Sequence, residues 1–420
     1  MHSRITGMWK STATKSDRRT SVVRVMAMVV VLLATALGSF LFGRSQSPAD
    51  IGGEDRESLR LYAEALDAVR DDYVDQKAVN PRKQTYAAIE GMLDSLGDQG
   101  HTRFLTPKEV ESNRESLSGT YVGVGIRLED RDREVVVASP IGGSPAAEAG
   151  VRPGDVVVAV DGKSVREQDT SEVVEKIKGP EGTEVELTVR RGGKERDFTL
   201  ERTRIKTPAV SWMRLPGSDV ALVQVTSFSD DSAGELEKSV EEARDSGARR
   251  FVLDLRNNPG GRLDQAVEMA GAFLKPGKVV YVREEADGKR EKIRVEDGAD
   301  PTRAPLTVLV NGGTASSAEI LAGALRDNDR AEVVGTTTYG TGTVLSEFTL
   351  SDGSALLLGV AEWLTPDGDF IRETGIAPEV KVEMEEGDEP LVPGDARDLS
   401  RKEILERDAQ ISRALQELQE

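Results

Sequence analysis

Ser316 follows a short apolar run, Leu306 to Val310, and a turn at Asn311-Gly312-Gly313. It precedes a helical pattern through Leu321 and Leu325. A hydroxyl between a strand and a helix can serve as a nucleophile, because the turn exposes its oxygen and the helix N-terminus favours negative charge. Thr314 or Ser316 can equally cap the helix, and the local pattern alone favours the cap. Glu319 lies one helical turn beyond Ser316. A second segment, Asp254 to Gly261, reads DLRNNPGG where a strand ends. Its paired glycines, Gly260 and Gly261, can present backbone N–H groups to a developing oxyanion. Asp254, Arg256 and Glu319 add charge, with a Glu319–Arg256 salt bridge across the site as the expected contact. Such a set is a structural ion-pair cluster, a frame that orients a site, or both.

Composition narrows the chemistry. The 420 residues contain no Cys and only two His, His2 and His101. That excludes a thiol nucleophile, a disulfide framework and a multi-His metal site. No cofactor motif is present. The net charge of −19 argues against nucleic acid as a partner. The charge is uneven. Residues 1–44 carry seven basic residues against Asp17, a net +6, so the remainder carries −25, six below the total. Val25 to Gly43 is an uncharged apolar run of 19 residues, long enough to span a bilayer. Its basic flank lies upstream, which predicts an uncleaved signal anchor with the rest of the chain outside the cytoplasm. A cleaved signal peptide is the rival, but the sequence after the run offers no convincing small-x-small site.

The elements that must position these groups are legible in outline. Residues 1–24 form a basic segment, 25–43 the anchor and 44–55 a linker. Helical spacing fills much of 56–117, with apolar positions at Leu59, Leu66 and Val69 and again at Ala87, Ile89 and Met92. Over 118–206 the pattern changes to short strands, with a brief helix at Pro145 to Ala149 closed by Gly150 and a turn at Asp161-Gly162. From 207 to 384 strands and helices alternate, an α/β pattern. Residues 385–420 read as an acidic linker and one amphipathic helix from Leu399 to Leu418, packed on the body.

Two resemblances follow. The PAxxAGxxxGD…DG pattern from Pro145 to Gly162 resembles a PDZ domain. It implies a groove beside Tyr121, Val122, Gly123, Val124, Gly125 and Ile126 that binds an extended peptide end. DLRNNPGG at 254–261, VLVNGGTASSAEILAGALRDN at 308–328, ALLLGVAEWLTPDGDFIRETGIAPEV at 355–380 and LGDQGHTRFL at 96–105 together resemble the carboxyl-terminal processing (tail-specific) proteases. The resemblance covers roughly residues 55–415. It implies an α/β, ClpP/crotonase-like protease body with an N-terminal helical segment, an inserted PDZ domain and an N-terminal transmembrane helix. It also implies a membrane-anchored extracytoplasmic serine endopeptidase acting on protein C-terminal tails. Ser316 would be the nucleophile, with Asp254, Arg256 and Glu319 in support. The N–H groups of Ser317 and of Gly260 or Gly261 would be the oxyanion donors. A homo-oligomer is compatible with the sequence.

One departure is chemical. Where the family carries its general-base lysine this chain has Thr341, and Leu345 replaces a supporting glutamine. No lysine occurs between Ser317 and Val380. Threonine has no accessible basic form, and a serine hydroxyl is a poor nucleophile without a base within reach. His101 is the one imidazole beyond the anchor. The family also fills that position with His, so it reads as structural, satisfying polar groups near the site. The alternative function is a weak or inactive homologue acting as a PDZ peptide-binding adaptor.

Overall fold

The computed structural model describes residues 53–418 except 99, 100, 132, 299, 300 and 386. The expected anchor at Val25 to Gly43 lies outside the described residues. Among the described residues no helix is long and apolar enough to cross a membrane. The chain divides into two compact units at residues 85 and 86. The first holds α1 (Gly53–Asp72), and α2 (Pro81–Asp94) runs through the division. Leu59, Leu61 and Val69 of α1 are exposed.

The second unit begins with β1 (Arg103–Leu105) and α3 (Pro107–Ser118). Thr106 and Glu109 form a capping box at the start of α3, which fixes its first turn. β2 (Thr120–Gly123) then leads into a layer made of β3 (Ile126–Arg131), β4 (Glu134–Pro140), α4 (Pro145–Ala149), β5 (Val156–Val160), β6 (Lys163–Ser164), α5 (Thr170–Ile177), β7 (Glu184–Arg191) and β8 (Lys194–Glu201). The sheet order is β3-β4-β5-β7-β8, with β6 on β5. Alternating residues of these strands, among them Val135, Val137, Leu187 and Val189, meet Val173 and Ile177 of α5 in one core. β9 (Thr203–Lys206) returns to pair with β2, so entry and exit of this domain form one two-stranded ladder.

The body follows with β10 (Val210–Arg214), β11 (Val220–Val225), α6 (Ser232–Asp245), β12 (Arg250–Asp254), α7 (Leu263–Gly271), β13 (Val279–Glu285), β14 (Arg290–Arg294), β15 (Leu306–Val310), α8 (Ser317–Asp327), β16 (Glu332–Gly335), β17 (Thr343–Thr349), β18 (Ala355–Leu364) and β19 (Val380–Lys381). The central sheet runs β10-β11-β12-β15-β16-β19, parallel from β11 onward. Such sheets are buried on both faces, and β11 and β15 are buried at every position. One face packs on α6, α7 and α8 through Val223, Leu253, Val308 and Leu321. The other packs on the C-terminal helices through Leu222, Val252 and Leu309. A second sheet joins β1, β18, β13 and β14, with β17 on the other side of β18.

The expected single C-terminal helix is broken. α9 (Pro393–Ala396) precedes α10 (Arg401–Arg407) and α11 (Ala409–Glu417), which are separated at Asp408. Asp408 leaves the helical region, at φ −129° and ψ 95°, and its carboxylate accepts the Ile411 N–H at 2.9 Å, capping α11. The segment after 385 is thus built into the body, with Ala396, Ile404, Ile411, Ala414 and Leu415 buried against the sheet.

Candidate active site

β15 delivers the chain to the turn at 311–315, and two contacts lash that turn to the end of β12. The Thr314 hydroxyl donates to the Leu255 carbonyl at 2.8 Å, and the Ala315 N–H donates to the Asn258 carbonyl at 2.9 Å. Asn311 completes the lacing by accepting the Asn257 N–H at 2.9 Å and donating its amide to the Asn257 side chain at 2.8 Å. Thr314 is therefore a buried structural tie. Ser316 takes φ 54° and ψ −121°, a conformation that side chains other than glycine rarely adopt. Strain of this kind, of order 1–3 kcal/mol, persists only where the surroundings over-determine it. Here they do. The Ser316 N–H donates both to Glu319 Oε2 at 2.8 Å and to Thr341 Oγ1 at 3.1 Å.

Glu319 is fully buried. Its Oε1 accepts from the Thr338 hydroxyl at 2.5 Å and the Gly340 N–H at 2.7 Å; its Oε2 accepts from the Thr341 N–H at 3.0 Å as well as from Ser316. Four neutral donors hold this carboxylate, and among the described residues it has no cation partner. Hydrogen bonds to an ionised oxygen are the stronger kind, so Glu319 binds the loop 338–341 to the Ser316 turn. The expected salt bridge from Glu319 to Arg256 does not form.

Arg256 points to the opposite face of the central sheet. Its Nε and Nη2 donate to Asp254 at 2.9 and 2.7 Å, while Nη1 donates to Asp408 at 2.9 Å and to Gln410 at 3.0 Å. All three charged side chains are fully buried. Burial works against the Arg256 charge, but Asp254 and Asp408 outweigh it and raise the guanidinium above its ordinary range. The period of the strand explains the placement: Val252, Asp254 and Arg256 share one face, and Leu253 and Leu255 the other. Asp254 and Arg256 thus brace the turn from behind and do not line the cavity at Ser316.

That cavity, about 310 Å³, is lined by Ser316, Ser317 and Gly261 together with Leu263, Leu345 and Trp363. Gly260 and Gly261 are required where they stand. A Cβ on Gly260, at φ 92°, would lie 2.7 Å from the Ser316 Cβ, and one on Gly261 would lie 2.4 Å from the Phe228 carbonyl oxygen. The Gly260 N–H is already committed, donating to Asn258 Oδ1 at 2.8 Å, which removes it as an oxyanion donor. The Gly261 N–H takes no part in the bridge to Phe228, whose bonds use the Gly260 carbonyl and the Arg262 N–H. The Ser317 N–H is the first of its helix and has no intrahelical acceptor. The Ser317 hydroxyl reaches the Gly261 carbonyl at 3.1 Å, tying the two peptides together.

Thr341 is buried beside Ser316, and Leu345 lies on the cavity wall. Among the described residues no lysine or histidine nitrogen is hydrogen-bonded to the Ser316 hydroxyl. His101 is buried and packs its ring edgewise on Tyr339, with centroids 6.0 Å apart. No polar partner to the imidazole is found among the described residues, so its part is packing.

The peptide groove also shifts. Tyr121, Val122 and Gly123 are consumed by the β2–β9 ladder. The Val124 carbonyl accepts the Ala146 N–H at 3.0 Å, and the Gly125 carbonyl accepts the Ile141 N–H at 2.8 Å. Only Ile126 begins an open strand, β3, with α5 alongside it. Residue patterns alone missed Asp408, Gln410, Thr338, Gly340 and Asn258. Thr338 and Gly340 stand in the segment that carries Thr341, and their small size and polarity were the available signal. Nothing local marks Asp408.

The pattern of peptidase family S41 matches residues 219–382, and that of PDZ domains matches residues 136–191. The chain is 35% identical over 364 residues to the carboxy-terminal processing protease CtpA of Bacillus subtilis, covering 86% of this chain and 76% of that protein. It is 35% identical over 378 residues to a probable CtpA-like serine protease of Staphylococcus aureus, covering 88% and 75%. Among solved structures, a photosystem II D1 C-terminal processing protease matches at 30% identity and a TM-score of 0.47, covering 81% of this chain and 98% of that one. An elbow serine, a glycine turn laced to it and a PDZ domain inserted ahead of the body therefore have one common account: the chain belongs to the S41 carboxy-terminal processing serine peptidases.

Proposed function

We propose that this chain is a PDZ-bearing serine peptidase whose nucleophile and oxyanion site are assembled but whose general base is missing, so that tail binding dominates and hydrolysis is slow. Ser316 is the nucleophile. The N–H groups of Gly261 and Ser317 receive the oxyanion, Glu319 positions the Ser316 turn, and Thr341 occupies the base position. Asp254 and Arg256 support the turn from the far face. Exported protein tails meet the β3 edge of the PDZ domain, and residues 25–43 anchor the chain with its bulk outside the cytoplasm.

The observation that carries this reading is the bond from the Ser316 N–H to Thr341 Oγ1 at 3.1 Å. It supports the reading because the group beside Ser316 is a hydroxyl, which cannot take a proton near neutral pH. A positioned general base contributes about 10²–10⁴-fold. In measured serine-protease cases, binding and the oxyanion hole alone retain about 10³–10⁴ over water.

The test compares the full chain with its Ser316→Ala and Thr341→Lys variants on an unfolded substrate ending in an apolar tail. Slow cutting by the parent, none by Ser316→Ala and a large gain in Thr341→Lys is the expected set. A parent as fast as Thr341→Lys and silenced by Ser316→Ala means that the base comes from elsewhere, and His101→Ala then tests the imidazole packed on Tyr339. Undiminished cutting by Ser316→Ala overturns the nucleophile assignment.

A further inference from the structure

We infer that Arg127 makes the PDZ groove select peptide tails with an acidic residue just before the last. The inference rests on reading this domain as a binder of peptide C-termini. β3 is the terminal strand of its sheet and pairs only with β4. Its outer edge is open among the described residues, and α5 lies alongside. An extended peptide can add to such an edge through main-chain hydrogen bonds. The loop at 123–125 precedes β3, so a carboxylate held by its amides sets the peptide antiparallel to β3, with its end near Ile126.

Strand alternation then assigns the side chains. Ile126 and Leu128 pack against the core of the domain, and Arg127 between them is exposed on the opposite face. Residues facing each other across paired strands share a face. The last ligand side chain therefore enters the groove beside Ile126, and the one before it emerges on the face of Arg127.

Charge sets the preference on that face. Glu129 and Arg131, the next two side chains there, are paired with each other. Among the described residues Arg127 has neither an ion pair nor a hydrogen bond. It stands close enough to Tyr121 to act on the phenol: burial raises that group, and the Arg127 charge opposes the rise. The Tyr121 ring in turn covers Gly123, where an added Cβ would come within 2.7 Å of a ring carbon. An uncommitted guanidinium thus stands beside the carboxylate loop, at the height of the penultimate ligand residue.

The test is fluorescence anisotropy of short tail peptides on the full chain. The peptides are identical except for Asp, Ala or Lys in the penultimate position, and an amidated version serves as control. The Asp peptide should bind about two- to fivefold tighter than the Ala peptide, as an exposed ion pair allows. The Lys peptide should bind more weakly than either, and the differences should shrink in high salt. Arg127→Glu should invert the order of the Asp and Lys peptides. Tail binding that ignores the penultimate charge overturns the inference and leaves the tail-binding reading standing. So does an Arg127→Glu variant that weakens all three equally, because Arg127 then reads the terminal carboxylate. If the amidated peptide binds as well as the free acid, the tail-binding reading itself falls, and this inference with it.

Discussion

Two buried carboxylate clusters flank the central sheet, and they are satisfied in opposite ways. On one side Asp254 and Asp408 close on the Arg256 guanidinium, with Gln410 sharing Nη1 with Asp408. On the other side Glu319 is held by three backbone N–H groups and the Thr338 hydroxyl, with no cation among the described residues. The first cluster depends on charge complementarity, so removing one member strands the others. The second depends on dipoles from a loop that also carries Thr341, so its carboxylate is satisfied without a cation. This difference explains how the Ser316 turn keeps its geometry with a neutral residue at 341: the turn is held by Glu319, and Glu319 does not need residue 341 to be charged.

Thr341→Lys would make the second cluster resemble the first, and it carries the largest expected effect. Hydrolysis of an unfolded tail substrate should rise by about 10²–10⁴-fold. Glu319 close by favours the charged ammonium, whereas only the neutral amine is a base, so the gain should grow as pH rises. A flat pH–rate profile would detach the new lysine from Glu319. Next comes Arg256→Met, which leaves two carboxylates buried without a cation. It should cost about 3–5 kcal/mol in urea unfolding. Glu319→Gln, which turns an amide NH₂ toward two of the four donors, should cost less, about 1–3 kcal/mol. Equal losses in the two variants would erase the distinction between the clusters.

The smallest effect belongs to an exposed carboxylate. Asp352 is held at about 2 by hydrogen bonds from Ser354 and from the Tyr86 hydroxyl. Its folded value lies below the ordinary 3.8, so its contribution to stability is complete above that value and fades as pH falls through about 2. Tyr86→Phe should move the carboxyl back up in an NMR titration and cost less stability at neutral pH than either buried variant, because the group is exposed. A stability loss as large as that of Glu319→Gln would mean that burial does not set the size of these losses.

Much of this was legible in the residues, and the limits have physical causes. The strands Val156–Val160 and Val220–Val225 announce themselves as apolar runs, and Gly150 marks the end of α4, because these signals lie within a few neighbouring residues. The strand, turn and helix around Ser316 are legible for the same reason. The Glu319–Arg256 pairing failed because charge type says nothing about which face of a sheet a side chain takes. The two-residue period from Val252 to Arg256 held that information. Gly260 failed as a donor because Asn258, two residues earlier, reaches its N–H first. The break at Asp408 could not be read from helical periodicity, since Leu399 to Leu418 keeps its apolar spacing through it, and the cause of the break lies on β12.

Arg256 and Asp408 are 152 residues apart in the chain. Synthesis at roughly 5–20 residues per second puts about 8–30 s between them. Throughout that interval the glycine turn is anchored to a guanidinium with only half of its eventual counter-charge. The body cannot finish closing until residue 408 has been made. A nascent chain stalled before residue 408 should therefore be open to protease at the glycine turn that, once complete, packs against Ser316.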